Sequence, residues 1–222
     1  MPKAIQALVF DVDGTLINTP ETIFAAYEHV AHMHGLKPST RDQIMIHMGK
    51  SLRDIFQGLY PDENVDPLLV TNGEYILAHM HEAELYGGLL AVLADLRQQG
   101  VKIAALTGGN HKVEDVLKHH EIHNYFDSIV HSERITHSKP DPEGLVLALA
   151  ECGNVPAAAA VVVGDMRHDI EAGKNGGALA VVGLTHGFGT RRELEQAGAD
   201  YIIDSFAELP GILDTIEQSH GS

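Results

Sequence analysis

Two carboxylates, Asp11 and Asp13, follow a short apolar run that ends at Phe10. Residues two apart share one face of an extended strand, but where a strand ends the chain turns and the second carboxylate can leave that line. Such a pair could supply one acid that attacks and one that moves a proton, with backbone carbonyls nearby for a hard cation. An Asp-rich turn that closes a strand is the alternative, because Asp and Gly are common turn residues.

Four further polar residues come after apolar runs later in the chain. Thr107 and Asp165 each end such a run, and Asp169 follows four residues after Asp165. Lys139 precedes Pro140, which disfavours helical geometry at the lysine and lets it project from a loop. Each residue has a structural alternative: Thr107 and Asp165 as helix N-caps, Asp169 as a first-turn acid, and Lys139 as a solvated side chain.

The apolar runs themselves are short, aliphatic and without alternation, which is typical of parallel strands buried on both faces. They occupy residues 8–10, 101–106, 128–131, 158–163, 179–184 and 201–203. Helical patterns lie between them, at residues 89–99, 112–120, 142–151, 169–174, 191–197 and 206–218. This alternation predicts an α/β fold with a doubly wound parallel sheet. In such sheets ligands bind at the carboxyl ends of the strands, where all the polar residues above lie.

One long segment after the first strand breaks the alternation. It contains helix-like patterns at residues 20–34, 41–47, 51–59 and 66–83, and it is too long for a plain connection in a compact domain. We therefore predict two parts: a catalytic core of residues 1–17 and 85–222, and a small all-helical insertion of residues 18–84.

Composition excludes several classes of partner. The formal net charge of −16 repels nucleic acid and anionic membranes, so neither is expected as a partner. No apolar stretch is long enough to span a bilayer and the first residues do not resemble a signal peptide, which predicts a cytoplasmic protein. The single cysteine, Cys152, is expected to be a buried small hydrophobe. The 15 histidines form no arrangement typical of a zinc site.

In their order along the chain, these segments resemble the four signature motifs of the haloacid dehalogenase-like hydrolases. The motifs are Asp11-x-Asp13-Gly14-Thr15, Thr107-Gly108-Gly109-Asn110, Lys139-Pro140 and Gly164-Asp165-x-x-x-Asp169. The start resembles the phosphoglycolate phosphatase-like branch, which implies a Rossmann-like core with a helical cap inserted after the first strand. Members that cleave carbon–halogen bonds lack the second Asp, so Asp13 argues against that chemistry.

The resemblance implies a Mg²⁺-dependent phosphatase that acts on a small phosphorylated metabolite through an aspartyl-phosphate. Asp11 would be the nucleophile and Asp13 the acid and then the base, while Lys139 would offset negative charge. The metal ligands would be Asp11, the backbone carbonyl of Asp13, and Asp165, with Asp169 orienting its neighbours or a water on the metal.

The resemblance implies that the phosphoryl oxygens are held by the hydroxyl of Thr107 and by backbone amides near Asp13, Gly14 and Gly108, with Thr15 as a further phosphate-binding residue. Specificity would come from the cap, where Lys50 or Arg53 is expected to contact an anionic part of the substrate. Arg167 and His168 are weaker candidates for the entrance to the site.

Other functions stay open on the sequence alone. A phosphomutase of the β-phosphoglucomutase type uses the same aspartyl-phosphate, although related mutases often carry Val in place of Thr15. Inorganic pyrophosphate, sugar phosphates and nucleotides are possible substrates beside phosphoglycolate, and a non-catalytic binding module is a third reading. The protein is expected to be a monomer or a homodimer.

Overall fold

Six short parallel strands form one sheet in the computed structural model, which describes residues 4–220. The strands are β1 (Ala7–Phe10), β2 (Lys102–Leu106), β3 (Ser128–Val130), β4 (Ala160–Gly164), β5 (Ala180–Leu184) and β6 (Tyr201–Ile203). Their spatial order is β3-β2-β1-β4-β5-β6, and every neighbouring pair is parallel. The predicted doubly wound parallel sheet is confirmed.

Ten α-helices accompany the strands in the described part of the chain. They are α1 (Pro20–Met33), α2 (Arg41–Met45), α3 (Leu52–Leu59), α4 (Val65–His79), α5 (Leu89–Gln98), α6 (Val113–His119), α7 (Glu143–Glu151), α8 (Arg167–Asn175), α9 (Arg191–Ala197) and α10 (Leu209–His220). Helix α5 ends just before Gly100, whose φ of 73° is the left-handed conformation that stops a helix at little cost.

The direction of chain winding reverses at β1, which lies between β2 and β4. Phe10, the last residue of β1, is in register with Ala105 of β2 and Val163 of β4. The ladder continues one step further, because the amide of Asp11 donates to the carbonyl of Val163 at 2.9 Å. This register brings the residues that follow β1, β2 and β4 to one edge of the sheet, where an open α/β sheet binds its ligands.

Helices α7 and α8 pack against one face of the sheet. Leu145 and Ile170 join Val9 and Val162 in a continuous buried cluster. Gly173 of α8 lies so close to the sheet that a Cβ there would be 2.3 Å from a methyl carbon of Val181. The small residue permits close approach of helix and strand, which fixes the start of α8 beside the end of β4.

Most predicted helices differ from the observed ones by one or two residues at an end, and three differ in how an end is formed. Helix α8 begins at Arg167, two residues before the predicted start, because the Asp169 carboxylate accepts the Met166 amide at 2.9 Å and closes the first turn. The predicted helix over 66–83 is α-helical only to His79 and continues as the 3-10 turn Met80–Glu82. The predicted helix over 206–218 begins with the 3-10 turn Phe206–Glu208 before α10.

The chain divides into two compact units. A sheet unit comprises Met1–Asn18 and Leu85–Ser222, and a helical unit comprises Thr19–Glu84, so Asn18 belongs to the sheet unit and not to the insertion. The helical unit contains α1 to α4 and has its own buried core, built from Tyr27, Val30, Phe56 and Leu68 among others. The Tyr27 and Phe56 rings lie 5.2 Å apart in a tilted arrangement.

Cys152 is buried, as expected. Within residues 4–220, no helix combines the length and the apolar character that a membrane crossing requires.

Substitution Phe56→Ala tests the core of the helical unit. Because Phe56 is fully buried, we expect the free energy of unfolding of this unit to fall by about 3–5 kcal/mol. Ile46→Ala is the matched control, since Ile46 is 73% exposed and its truncation should cost about 0.5 kcal/mol or less. Urea unfolding followed by circular dichroism measures both, and equal losses for the two variants would contradict the assignment.

Candidate active site

Lys139 lies beside two buried carboxylates at the carboxyl edge of the sheet, with most of its side chain covered. Its Nζ atom donates to Oδ1 of Asp11 at 2.5 Å, to Oδ1 of Asp169 at 2.5 Å and to the carbonyl of Leu106 at 3.1 Å. The three donors of the ammonium group therefore each have an acceptor. The solvated alternative for Lys139 is wrong: 13% of its side chain is exposed, and it bridges the ends of β1 and β2 and the start of α8.

The charges in this group oppose each other strongly. Burial raises the pKa of the Asp11 carboxyl well above its ordinary value, and the Lys139 ammonium offsets only part of this effect. Asp169 and Asp165 add negative charge nearby and raise the pKa of Asp11 further. Burial would lower the pKa of Lys139, but Asp11 and Asp169 more than compensate and raise it, so the lysine stays charged.

Asp165, at the end of β4, is fully buried and its carboxylate is held by neutral donors. The Thr15 hydroxyl donates to Oδ1 at 2.7 Å, and the Phe188 amide donates to Oδ2 at 2.7 Å. Burial and the neighbouring Asp169 charge raise the pKa of Asp165 to about 7, although both hydrogen bonds act in the opposite direction. A group with this pKa is a marker of a functional site.

Asp13 and Thr107 face each other across the ends of β1 and β2. The Thr107 hydroxyl donates to Oδ2 of Asp13 at 3.3 Å and accepts the amide of Gly109 at 2.9 Å. Asp13 can turn away from the line of Asp11 because Gly14, with φ of 84°, bends the chain directly after it. The sheet thus brings the two predicted carboxylates and the predicted phosphate-binding threonine to one edge.

The helix-cap alternatives are wrong for two of the predicted residues. Helix α6 begins at Val113 with Lys112 as its N-cap, so Thr107 caps no helix. The N-cap of α8 is Met166, which excludes the same role for Asp165. Asp169 does lie in the first turn of α8 and also pairs with Lys139.

Three buried carboxylates form a group that fits a hard cation. One oxygen from each of Asp11, Asp165 and Asp169 lies within 4.8 Å of the other two. Oxygen ligands of this kind suit Mg²⁺. Burial and the repulsion between the carboxylates raise the pKa values of Asp11 and Asp165. The positive charge of a divalent cation would offset both effects.

The predicted specificity residues belong to the helical unit, and their surroundings differ. Arg53 is exposed and pairs with Asp66 at 2.6 Å. Lys50 is exposed at the turn before α3, with its Nζ atom 3.5 Å from Nδ1 of His47.

The two residues proposed for the entrance lie at the start of α8 in the sheet unit. Arg167 is exposed and pairs with Glu171 at 2.7 Å, one turn further along the helix. His168 is half-buried, and burial lowers the pKa of its ring.

Sequence analysis missed one segment that touches the site, the turn after β5. This turn, residues 185–189, is called the β5 turn below. It donates the Phe188 amide to Asp165, and Nε2 of His186 donates to the carbonyl of Thr15 at 3.1 Å. The sequence does contain a sign of this segment, because Gly187-Phe188-Gly189 follows a predicted strand at the edge where ligands bind. The segment meets the site through a backbone amide and through a histidine that contacts a backbone carbonyl, so no motif of reactive side chains marks it.

A comparison with protein families agrees with this architecture. The family model of the haloacid dehalogenase-like hydrolases matches residues 8–182, which includes all four motifs. The chain belongs to this family.

Individual relatives support an enzymatic member of the haloacid dehalogenase-like hydrolases. The chain is 32% identical over 218 residues to a protein of Bacillus cereus (strain AH820) named pyrophosphatase PpaX, covering 97% of this chain and 99% of the relative. With the family's carboxylates and lysine in place, the chain is an enzyme of the phosphatase kind.

Solved structures share the fold over nearly the whole chain. A crystal structure described as a "predicted phosphoglycolate phosphatase" from Haemophilus somnus 129PT has a TM-score of 0.85 at 23% identity and covers 96% of this chain and 99% of that one. A protein of Thermotoga maritima provisionally named a β-phosphoglucomutase has a TM-score of 0.74 at 26% identity, with coverage of 95% and 99%.

The pKa of Asp165 predicts how the stability of the metal-free protein changes with pH. Below about pH 4 the carboxyl is protonated in both folded and unfolded chains, so it contributes no pH dependence. Between there and about pH 7 the unfolded chain releases the proton and the folded one retains it, so ionisation favours unfolding and stability falls as pH rises.

Asp165→Asn removes this contribution while keeping the shape of the side chain. In EDTA, we expect the unfolding temperature of the variant to rise relative to the parent chain as pH increases from about 4 to 7, and the difference to level off above pH 7. Thermal unfolding at a series of pH values measures it. A difference that does not change with pH would show that Asp165 ionises as an ordinary carboxyl.

Proposed function

We propose that the chain is a Mg²⁺-dependent phosphatase that hydrolyses a small phosphorylated metabolite through an aspartyl-phosphate on Asp11. The observation that carries the proposal is the buried Asp11 carboxylate at the end of the central strand, with Lys139 at 2.5 Å. The Asp13 carboxylate and the Thr107 hydroxyl lie at the same edge. A strand end that gathers a nucleophile, a proton-transfer group and a cation suits phosphoryl transfer.

The reaction uses the two acids of the first motif in two steps. An oxygen of Asp11 attacks phosphorus, the bond to the ester oxygen breaks, and Asp13 gives that oxygen its proton. A water then attacks the phosphorus of the aspartyl-phosphate while Asp13 takes the proton of the water. The carboxylate of Asp11 leaves, so that inorganic phosphate and the original enzyme are restored.

Lys139 supports the first step through its contact with Asp11. It holds Oδ1, which leaves Oδ2 as the oxygen proposed to attack. Its charge also offsets part of the repulsion between the carboxylate and an incoming phosphate, which matters in a protein with a formal net charge of −16.

The metal site would comprise the carboxylates of Asp11 and Asp165 and the backbone carbonyl of Asp13. Mg²⁺ supplies positive charge that lets two anions approach each other. Asp169 contributes indirectly, because its carboxylate pairs with Lys139 and accepts the Met166 amide, which holds the start of α8 at the site.

The phosphoryl oxygens would contact the Thr107 hydroxyl and backbone amides of Gly14 and Gly108. Thr15 takes a different part, since its hydroxyl is engaged by Asp165. The turn of Gly14 and Thr15 therefore links the phosphate-binding amides to the proposed metal ligand.

A phosphomonoester of a small metabolite is the substrate class that we propose first. Inorganic pyrophosphate is the second candidate, because the pyrophosphatase-named relative is 32% identical over 97% of this chain. The helical unit would act as the cap, with Lys50 or Arg53 as contacts for an anionic group. We further propose a cytoplasmic monomer or homodimer without nucleic-acid or membrane partners.

Asp11→Asn tests the nucleophile. An amide cannot form the acyl-phosphate, so we expect phosphate release to fall by at least about a thousandfold with the fold retained. The assay is phosphate release with Mg²⁺ over a panel that contains phosphoglycolate, pyrophosphate, sugar phosphates and nucleotides. Asp214→Asn, an exposed position on α10, is the control and should keep full activity. Substantial turnover by Asp11→Asn would remove Asp11 from the proposed role.

A second assay separates hydrolysis from mutase activity. The enzyme is incubated with a sugar 1-phosphate and the corresponding bisphosphate, and both free phosphate and isomerised sugar phosphate are measured. We expect phosphate release without isomerisation; isomerisation without phosphate release would establish the mutase instead.

The helical unit is tested by comparing its two cations. Arg53 is already paired with the Asp66 carboxylate at 2.6 Å, whereas the Nζ atom of Lys50 lies 3.5 Å from the ring of His47. We therefore expect Lys50→Ala to raise KM by about tenfold with little change in kcat, and Arg53→Ala to have a smaller effect on KM. Steady-state kinetics on the best substrate of the panel measure both, and the opposite ranking would assign the contact to Arg53.

A further inference from the structure

The β5 turn encloses the carboxylate of Asp165 from one side. The Phe188 amide donates to Oδ2, while the Thr15 hydroxyl donates to Oδ1 from the other side, each at 2.7 Å. Both carboxylate oxygens thus have a fixed donor, and these donors come from segments 23 and 150 residues away in sequence. A carboxylate held at both oxygens has one rotamer available to it.

Three glycines make this enclosure possible. A Cβ at Gly187 would lie 2.1 Å from Oδ2 of Asp165 and 2.3 Å from the carbonyl of Gly14. A Cβ at Gly189 would lie 2.1 Å from the carbonyl of Asp165, and one at Gly14 would lie 2.5 Å from Oδ2. Only Gly14 has a positive φ among the three, so Gly187 and Gly189 are required by space and not by backbone conformation.

His186 fastens the turn to the first motif. Nε2 of His186 donates to the carbonyl of Thr15 at 3.1 Å, and the His186 ring stacks on Tyr86 with centroids 3.6 Å apart. The Tyr86 hydroxyl donates to the carbonyl of His186 at 2.9 Å. The Tyr86 amide in turn donates to the carbonyl of Leu16 at 3.1 Å.

The contacts of the β5 turn are all made to the same part of the site. The backbone amide of Phe188 and the backbone of Gly187 lie against the Asp165 carboxylate, and the ring of His186 contacts the loop of residues 14–16. A turn that served only to connect β5 to α9 would not need glycine at the two points where it meets the Asp165 residue. The contacts match the outer partners that orient a metal-binding carboxylate.

We propose that the β5 turn positions Asp165 for a divalent cation, with Gly187, Phe188 and His186 as positioning residues. The turn keeps a carboxylate oxygen of Asp165 within 4.8 Å of oxygens of Asp11 and Asp169. Tyr86 acts one step further out, by holding the backbone of His186. This inference rests on the Mg²⁺ dependence in the proposed function, and it adds residues that lie outside the four motifs.

Gly187→Ala tests the proposal, because its Cβ meets the Asp165 carboxylate and forces it to move. Mg²⁺ binding is measured by isothermal titration calorimetry without substrate, and we expect the dissociation constant to rise about 10–100-fold. The Mg²⁺ concentration for half-maximal phosphate release should rise by the same factor. At saturating Mg²⁺ the KM for substrate should change by a smaller factor than the Mg²⁺ dissociation constant, since the Thr107 and Lys139 contacts are not disturbed. Gly211→Ala on α10, where a Cβ meets open space, is the control and should match the parent chain.

Tyr86→Phe is a milder second variant that keeps the stacked ring and removes one hydroxyl. We expect Mg²⁺ binding to weaken by about two- to tenfold, the effect of losing the hydroxyl that contacts the His186 carbonyl and, more weakly, Oδ1 of Asn18. Tyr125→Phe, in the 3-10 turn His123–Tyr125 before β3, is its control. Circular dichroism is recorded for each variant, and if Gly187→Ala does not fold, Tyr86→Phe decides.

The outcomes separate this inference from the proposed function. If the parent chain binds Mg²⁺ and releases phosphate, but the folded Gly187→Ala variant binds Mg²⁺ within twofold of it, the β5 turn has no positioning role. Parent-level binding by Tyr86→Phe, where it is the deciding variant, overturns the inference equally. If the parent chain neither binds Mg²⁺ nor releases phosphate with it, the proposed function itself is wrong.

Discussion

Three buried carboxylates lie close to the single ammonium group of Lys139, which pairs with two of them, and the rest of the site depends on this imbalance. Removing a charge from water is costly unless it is paired and hydrogen-bonded. Lys139 satisfies Asp11 and Asp169 directly, at 2.5 Å each. Among residues 4–220, Asp165 forms no such ion pair and is held instead by a hydroxyl and a backbone amide. Burial and the Asp169 charge raise the pKa of Asp165 to about 7, and the two neutral donors lower it only in part.

The parallel sheet is what makes such a concentration of charge tolerable. The apolar residues of β1, β4 and β5 are buried on both faces and pack against α7 and α8, so the stability of the fold comes from the sheet and its helices. The residues at the carboxyl ends of the strands therefore do not have to supply this stability. Because β1 lies between β2 and β4, three chain segments that diverge in sequence end side by side there. The unfavourable electrostatics are confined to this edge, where they can be used for binding.

Much of this edge could be predicted because its signals are local in sequence. Asp11, Thr107 and Asp165 each end an apolar run, and Lys139 precedes a proline, so the residue types and the strand ends together indicated a site. The sequence pattern predicts the start of α8 two residues too late, at Asp169. In the structure the Asp169 carboxylate closes the turn that precedes it. The pairing of Arg53 with Asp66 could not be predicted, because it depends on how α3 and α4 pack.

The β5 turn was missed for a different physical reason. Its contribution consists of a backbone amide and of the absence of side-chain atoms at Gly187 and Gly189, and neither property is visible as a reactive residue. Glycines in a loop usually indicate a turn, and only the three-dimensional structure shows that a carboxylate occupies the space that a Cβ would need.

Within the proposed mechanism, the charge imbalance also explains why a cation is needed before any substrate arrives. A carboxyl must be ionised to attack phosphorus, yet burial raises the pKa of Asp11, and Lys139 is shared with Asp169. The ammonium group of Lys139 lowers the pKa of Asp11 but offsets only part of the effect of burial. A divalent cation bound by Asp11 and Asp165 would supply the missing charge and favour the reactive form of the nucleophile. Metal binding and activation of Asp11 are then one event, and the orientation of Asp165 by the β5 turn becomes part of both.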